Sequence, residues 1–192
     1  MEPVEHIHYL EDRDPAPGRL GLVQRFANTV DPEHGREMLS SPARLVAVLS
    51  ELGLLVLDAQ ASRAELERAL ELRTALRELA LANNGEPASR EAERAVELAA
   101  AEGSLRIRFV AGEPLLEGAA DGVPGALATL AGVVATAVAD GTWPRLKACR
   151  REVCGWLFYD RSRNRSARWC DMAVCGNRMK TRAYRARRAR AG

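Results

Sequence analysis

The chain has 192 residues, 47% of them hydrophobic, with 28 basic and 26 acidic residues and a formal net charge of +2. Its length and apolar content exclude a chain too short or too polar to bury a core, and place it among small globular proteins. The near-neutral total hides two parts of opposite sign. Arg145 to Gly192 holds 15 basic and 3 acidic residues, which leaves 13 and 23 for Met1 to Pro144. A polyanion-binding module is therefore expected beyond Trp143-Pro144, joined to a part with another task.

The first residues, Met1-Glu2-Pro3-Val4-Glu5-His6, are acidic and lack an apolar run, so no secretory signal is read and a cytoplasmic location is expected. His6, His8 and His34 are the only histidines. His6 and His8 beside Glu5 read as a solvated tail in preference to a metal site. A short apolar helix spans Leu20 to Ala27. Asn28 and Asp31 follow it, placed either to cap its end or to line a polar pocket. Ser41-Pro42 opens a second helix, with serine as N-cap and proline at the first helical position, and Gly53 stops it. Ser62-Arg63-Ala64-Glu65 is a capping box before the longest helix. That helix carries the stripe Leu66, Ala69, Leu72, Leu76 and Leu79, and Asn83-Asn84-Gly85 ends it. A further helix covers about Arg90 to Ala101. The period then changes to two: Leu105, Ile107 and Phe109 alternate with Arg106 and Arg108, predicting a half-buried strand with a short partner at Leu115-Leu116. Val123 to Ala139 contains no charged residue, and predicts a helix buried on all sides in preference to a membrane span. No phosphate loop, nucleophile elbow or HExxH motif is present, and no catalytic residue is assigned.

All four cysteines lie in the basic part, as Cys149-x4-Cys154-x15-Cys170-x4-Cys175. Two close pairs of thiols suit one tetrahedral Zn²⁺ better than two disulfides or four unrelated buried thiols, above all in a reducing compartment. Val153-Cys154-Gly155 is echoed by Val174-Cys175-Gly176. In each, the glycine is expected to take positive φ and turn backbone N–H groups toward sulfur. Four thiolates leave no open position for water, so a structural zinc is expected and an enzyme is not. Trp156, Phe158 and Trp169 read as a small core around the metal. Trp156 to Tyr159 reads as a strand, Asp160 to Ser166 as a polar turn, and Ala167 to Trp169 as the returning strand. Arg161, Arg163, Arg165 and Arg168 crowd that turn. A basic helix follows Gly176, carrying Arg178, Lys180, Arg182 and Arg185 and continuing through Arg187, Arg188 and Arg190. These residues are expected to grip phosphate. Asn177 and Arg178 suit either base reading or a supporting role, capping the final helix and bracing the metal knuckle.

Cys170 to Cys175 followed by Gly176-Asn177-Arg178, preceded by Cys154-Gly155-Trp156-Leu157-Phe158-Tyr159-Asp160 and Ser162-Arg163-Asn164, closely resembles the CGNR zinc-finger family. Phe26-Ala27-Asn28-Thr29-Val30-Asp31 and Leu72-Arg73, Ala75-Leu76-Arg77 resemble, more loosely, the ABATE domain that usually precedes that finger. The resemblance implies a bacterial stress-related transcription regulator that binds DNA through the finger. The expected fold is mainly α (α+β). A helical domain at residues 1–144 has one small β-hairpin. A four-cysteine finger at 145–192 has a hairpin and a C-terminal helix. One Zn²⁺ per chain is expected, with DNA as partner. RNA and a thiol–zinc redox switch stand as alternatives. A small-molecule effector of the helical domain is a further candidate partner, with oligomeric state, target sequence and the sign of regulation left open.

Overall fold

The computed structural model describes residues 15–191, with side chains in the final helix described at a subset of positions. Glu5, His6 and His8, and the side chains of Arg187 and Arg190, lie outside the described residues. The elements in order are α1 (Leu20–Ala27), β1 (Val30–Asp31), β2 (Arg36–Glu37), α2 (Pro42–Glu51), α3 (Arg63–Ala82), α4 (Arg90–Glu102), β3 (Leu105–Val110), β4 (Glu113–Gly118) and α5 (Gly122–Ala139). A 3₁₀ turn at Trp143–Arg145 leads into β5 (Leu146–Ala148) and β6 (Leu157–Tyr159), and a π-helical turn at Met172–Gly176 leads into α6 (Asn177–Ala191). Among the described residues helices dominate, and the strands form three antiparallel two-stranded ladders, β1–β2, β3–β4 and β5–β6.

The local signals act as their chemistry demands. Ser41 Oγ accepts from the Arg44 N–H, and Gly53 ends α2 at φ +70°. Ser62 and Glu65 satisfy each other's backbone donors in a complete capping box. The predicted stripe of α3 is buried at Leu66, Ala69, Leu72 and Leu76, with Leu79 partly covered. The β1–β2 ladder was not anticipated, being only two residues on each side.

The charge-free helix α5 supplies the largest share of the core, from Val123 to Val134 and Ala137. It is long and apolar enough to cross a membrane, but 61% of it is buried inside the protein. Its abundance of small residues has a steric cause. A Cβ at Gly118 would lie 2.2 Å from the carbonyl oxygen of Gly125, and one at Gly132 would lie 2.8 Å from the Cβ of Leu116. Backbone meets backbone where the hairpin crosses α5. Burial is not complete on all sides as expected, because Ala135, Thr136, Val138 and Ala139 are exposed.

Strand β3 departs from expectation in the same region. It pairs with β4 in the predicted order, Ile107 opposite Leu116 and Phe109 opposite Pro114. Yet Ile107 and Phe109 are 64% and 69% exposed. The alternation was legible, but α5 covers the hairpin face only at its base, near Leu105 and Leu116, and the tip overhangs.

The core does not stop at the change of charge. Trp143, Leu146, Ala148, Leu157 and Tyr159 belong to the same apolar cluster as Phe26, Leu45, Leu72 and Leu130. The helical part and the zinc module therefore share one core. The first strand pair of the basic part is one wall of the common core.

Candidate metal centre and the basic surface around it

The hairpin of the basic part is also not the one anticipated. β6 pairs with β5, Leu146 opposite Tyr159 and Ala148 opposite Leu157, and the Cys149 N–H donates to the Trp156 carbonyl to extend the ladder. Cys149 and Cys154 thus sit in the loop of this hairpin. Ala167 to Trp169 forms no strand; the Arg150 N–H to Arg168 carbonyl bond is its backbone tie to the segment after β5. The reason is the apolar pattern of Leu146-Lys147-Ala148. It offers Leu157 and Tyr159 a partner that also faces the core, which Ala167-Arg168-Trp169 cannot do.

Two knuckles converge from opposite ends of the module. Cys149, Cys154 and Cys175 are buried and Cys170 is half-buried, with all four Sγ atoms within 4.8 Å of one another. Cys154 and Cys170 are 3.6 Å apart and Cys170 and Cys175 3.7 Å. A tetrahedron with Zn–S bonds of about 2.3 Å has sulfur edges of about 3.8 Å, so the cluster fits the ion. All four are free thiols. Hydrogen bonds from Cys154 and Cys170 push the Cys149 thiol down to about 2, and the same bonding pushes Cys154 up to about 12 and Cys170 upward. Four sulfurs this close cannot all ionise beside one another alone. A dication removes that conflict and takes all four as thiolates. The centre is a structural zinc site of four cysteines, with one ion per chain.

The two Val-Cys-Gly copies use their glycines differently. Gly155 has φ +55°, as expected, and a Cβ there would lie 2.5 Å from Arg77 Nη2. Gly176 does not take positive φ. It lies in the π-helical turn, where a Cβ would meet Met172 Sδ at 2.4 Å and Trp169 Cδ1 at 3.2 Å. Its role is to admit these two side chains. Asp171 caps this turn by accepting from the Val174 N–H at 2.9 Å, and Asn177 stands as the first residue of α6. Trp156 and Trp169 pack against the cysteines, whereas Phe158 is buried outside that cluster.

The helical part reaches into this centre at several points that the sequence reading missed. Arg77 of α3, half-buried and with its pKa lowered chiefly by that burial, donates to the Ala27 carbonyl and to the Cys154 carbonyl at 3.2 Å. Asn28 neither lines a pocket nor caps with its side chain. Its amide donates to the Leu157 carbonyl at 2.9 Å and accepts from the Leu157 N–H at 2.8 Å, completing β6 as a neighbouring strand would. Asn83 and Asn84, read only as a helix stop, donate to the carbonyls of Trp143, Leu146 and Ala148. Glu33, from the β1–β2 loop, accepts from both terminal nitrogens of Arg151 at 2.7 and 2.8 Å and from Arg178 Nη1 at 2.5 Å. Arg151 in turn lies 3.8 Å from Cys175 Sγ. The hydrogen bond from Arg151 leads in holding the Glu33 carboxyl below the usual range, opposed by burial and aided by Arg178. The detectable signal was arginines at 73 and 77, four apart within the apolar stripe of α3.

Residues 160–167 form a pinned loop. Lys147 and Asp160 are both buried and pair at 2.8 Å, and Lys147 also donates to the Arg165 and Ala167 carbonyls. Asp160 accepts from the Ser162 and Ala167 N–H groups. Burial works to raise the Asp160 pKa, but the bonds from Lys147 and Ser162 outweigh it and the net shift is downward. Arg163 and Arg165 project from this loop and Arg168 follows it, all exposed and without a side-chain partner among the described residues. Lys180, Arg182 and Arg185 stand likewise on α6, as does Asn177 at its start. Arg161 differs, donating to the Pro15 carbonyl at 2.7 Å and lying 5.5 Å from the centre of the Tyr159 ring. Arg178 also differs, being held by Glu33.

Two family models match this chain. Residues 20–141 match ABATE, described as "Putative stress-induced transcription regulator". Residues 145–188 match the CGNR zinc finger. No curated protein matches the chain.

Proposed function

The chain belongs to the ABATE family and ends in a CGNR zinc finger, and from that premise we propose that it is a transcription regulator that binds duplex DNA through the zinc module. The carrying observation is the set of exposed cations without a side-chain partner among the described residues, on two elements of one module: Arg163, Arg165 and Arg168 in and just after the pinned loop, and Lys180, Arg182 and Arg185 on α6. Acidic side chains are nearly absent there, so the surface presents positive donors of the kind that bind a phosphate backbone. Zinc holds the two elements in one unit. It acts as a scaffold, since four protein thiolates fill its tetrahedron and leave no position for a reacting water. The reading is of a binding protein in the reducing cytosol, where free thiols keep their metal. The helical part is assigned to sensing or pairing, with residues 1–144 and 145–192 as its functional division.

A salt titration of zinc-loaded protein against labelled duplex tests the proposal. Log K should fall linearly with log salt, with a slope of about 0.9 per phosphate contacted. Replacing Arg163 and Arg165 with alanine should flatten the slope by about two contacts and weaken all sequences alike. Competition with duplex RNA separates the two polymers, because phosphate grip alone does not. Absence of DNA binding at low salt would sink the reading.

A further inference from the structure

The helical part places two carboxylates on three arginines of the zinc module. Glu33 holds Arg151 and Arg178, and Glu86, from the loop after α3, pairs with Arg150. These arginines, with Arg182 and one carboxylate, Glu152, line a hollow of about 240 Å³ between the first knuckle and the start of α6. Arg182 is exposed and unpaired among the described residues. The two carboxylates come from the part of the chain whose charge balance is negative, and they cover arginines of the part whose balance is positive.

We propose that this hollow is a phosphate seat, and that Glu33 and Glu86 are internal competitors for it. A guanidinium presents the same fork to a carboxylate and to a phosphate, so the bidentate Arg151–Glu33 contact is the one a backbone phosphate would make. Arg178 remains 57% exposed and Glu86 44% exposed. The Arg151–Glu33 pair is more covered, at 15% and 22% exposure, so the outer contacts of Arg178 and Glu86 exchange partners first and at little cost. When a phosphate enters, Arg150, Arg151 and Arg178 turn to it and the two carboxylates return to water. By linkage, anything that draws the β1–β2 loop or the loop after α3 away from the module raises its affinity for phosphate, and bound phosphate loosens those loops in return.

The inference rests on the polyanion-binding reading of the module, and its test separates the two. Glu33→Gln/Glu86→Gln keeps side-chain size and removes both charges. Binding of zinc-loaded wild-type and variant protein is measured with duplex DNA and, separately, with inorganic polyphosphate, which has no bases. The variant should bind both about fivefold or more tightly at low salt, with a salt slope steeper by about 0.9 for each phosphate gained. Adding Arg178→Gln should remove much of the gain. Tighter polyphosphate binding with no DNA binding by either protein would keep the seat and reject the DNA reading. Equal or weaker binding of both polyanions by the variant would overturn the seat. Should loss of Glu33 loosen the zinc, Glu86→Gln alone, on a half-exposed carboxylate, must still show a smaller gain in the same direction, and its absence would overturn the seat equally.

Discussion

Two residues with the same sequence context carry different constraints, and alanine substitution separates them. Gly155 combines positive φ with a close approach to the half-buried Arg77 guanidinium. Gly155→Ala should lose about 1–3 kcal/mol of stability and loosen zinc, read by thermal melting and by metal competition with a chelator. At Gly176 the nearest atom is the end of an exposed methionine side chain, which can move aside. Gly176→Ala should therefore lose less than about 1 kcal/mol, and equal losses at the two glycines would contradict this assignment. The Lys147–Asp160 pair gives a second contrast. Lys147→Met leaves a buried carboxylate unpaired and should lose about 3–5 kcal/mol, whereas Lys147→Met/Asp160→Asn should lose clearly less. Because the folded state holds the Asp160 pKa low, its contribution is full above the ordinary carboxylate range and fades as pH falls below it. The double variant should accordingly lose less stability than wild type between about pH 5 and pH 3.

Among the elements, α1 and β6 are joined by one side chain. Asn28 supplies both a donor and an acceptor to Leu157, and Gln24 donates to the same carbonyl at 3.3 Å. Asn28→Ala would leave the Leu157 N–H buried without a partner while its carbonyl keeps Gln24. The expected loss is about 1–3 kcal/mol, measured by denaturant melting, with amide exchange at Leu157 accelerated before that of α5. The hairpin β3–β4 meets α5 through glycine backbones, which cannot give way as side chains do. Gly118→Ala should lose about 1–3 kcal/mol or more, although no polar group or charge is touched. The period of Leu105, Ile107 and Phe109 was readable in the sequence, but not how far α5 extends beneath the hairpin. That depends on where two separate elements cross.

For the whole molecule, the shared core changes what truncation and zinc removal should do. A fragment of residues 1–140 lacks Trp143, Leu146, Ala148, Leu157 and Tyr159, all members of the common apolar cluster. It also leaves the Asn28 and Asn83 amides without partners. Such a fragment should melt well below the full chain and expose apolar surface, detected by circular dichroism and dye binding. Stripping zinc, or Cys154→Ser, should likewise lower the melting temperature of the helical signal, because the metal knuckle is the loop of the strand pair that walls the core. An unchanged helical melt after zinc removal would show that the two parts are energetically independent.

The local elements and the metal centre follow from short stretches of the chain alone. Caps, stop glycines, apolar periods and cysteine spacing act within a few residues, so serine before proline, a capping box and four paired thiols carry their meaning wherever the chain goes. The charge division and the family were legible for the same reason. Tertiary structure alone decided which strand pairs with β6, that Gly155 and Gly176 differ, that Asn28 serves a strand 129 residues away, and that Glu33 and Glu86 cover the finger's arginines. Each of these depends on which surfaces come within hydrogen-bonding distance after the core has closed. Apolar burial sets that arrangement over the whole chain, and no local pattern encodes it.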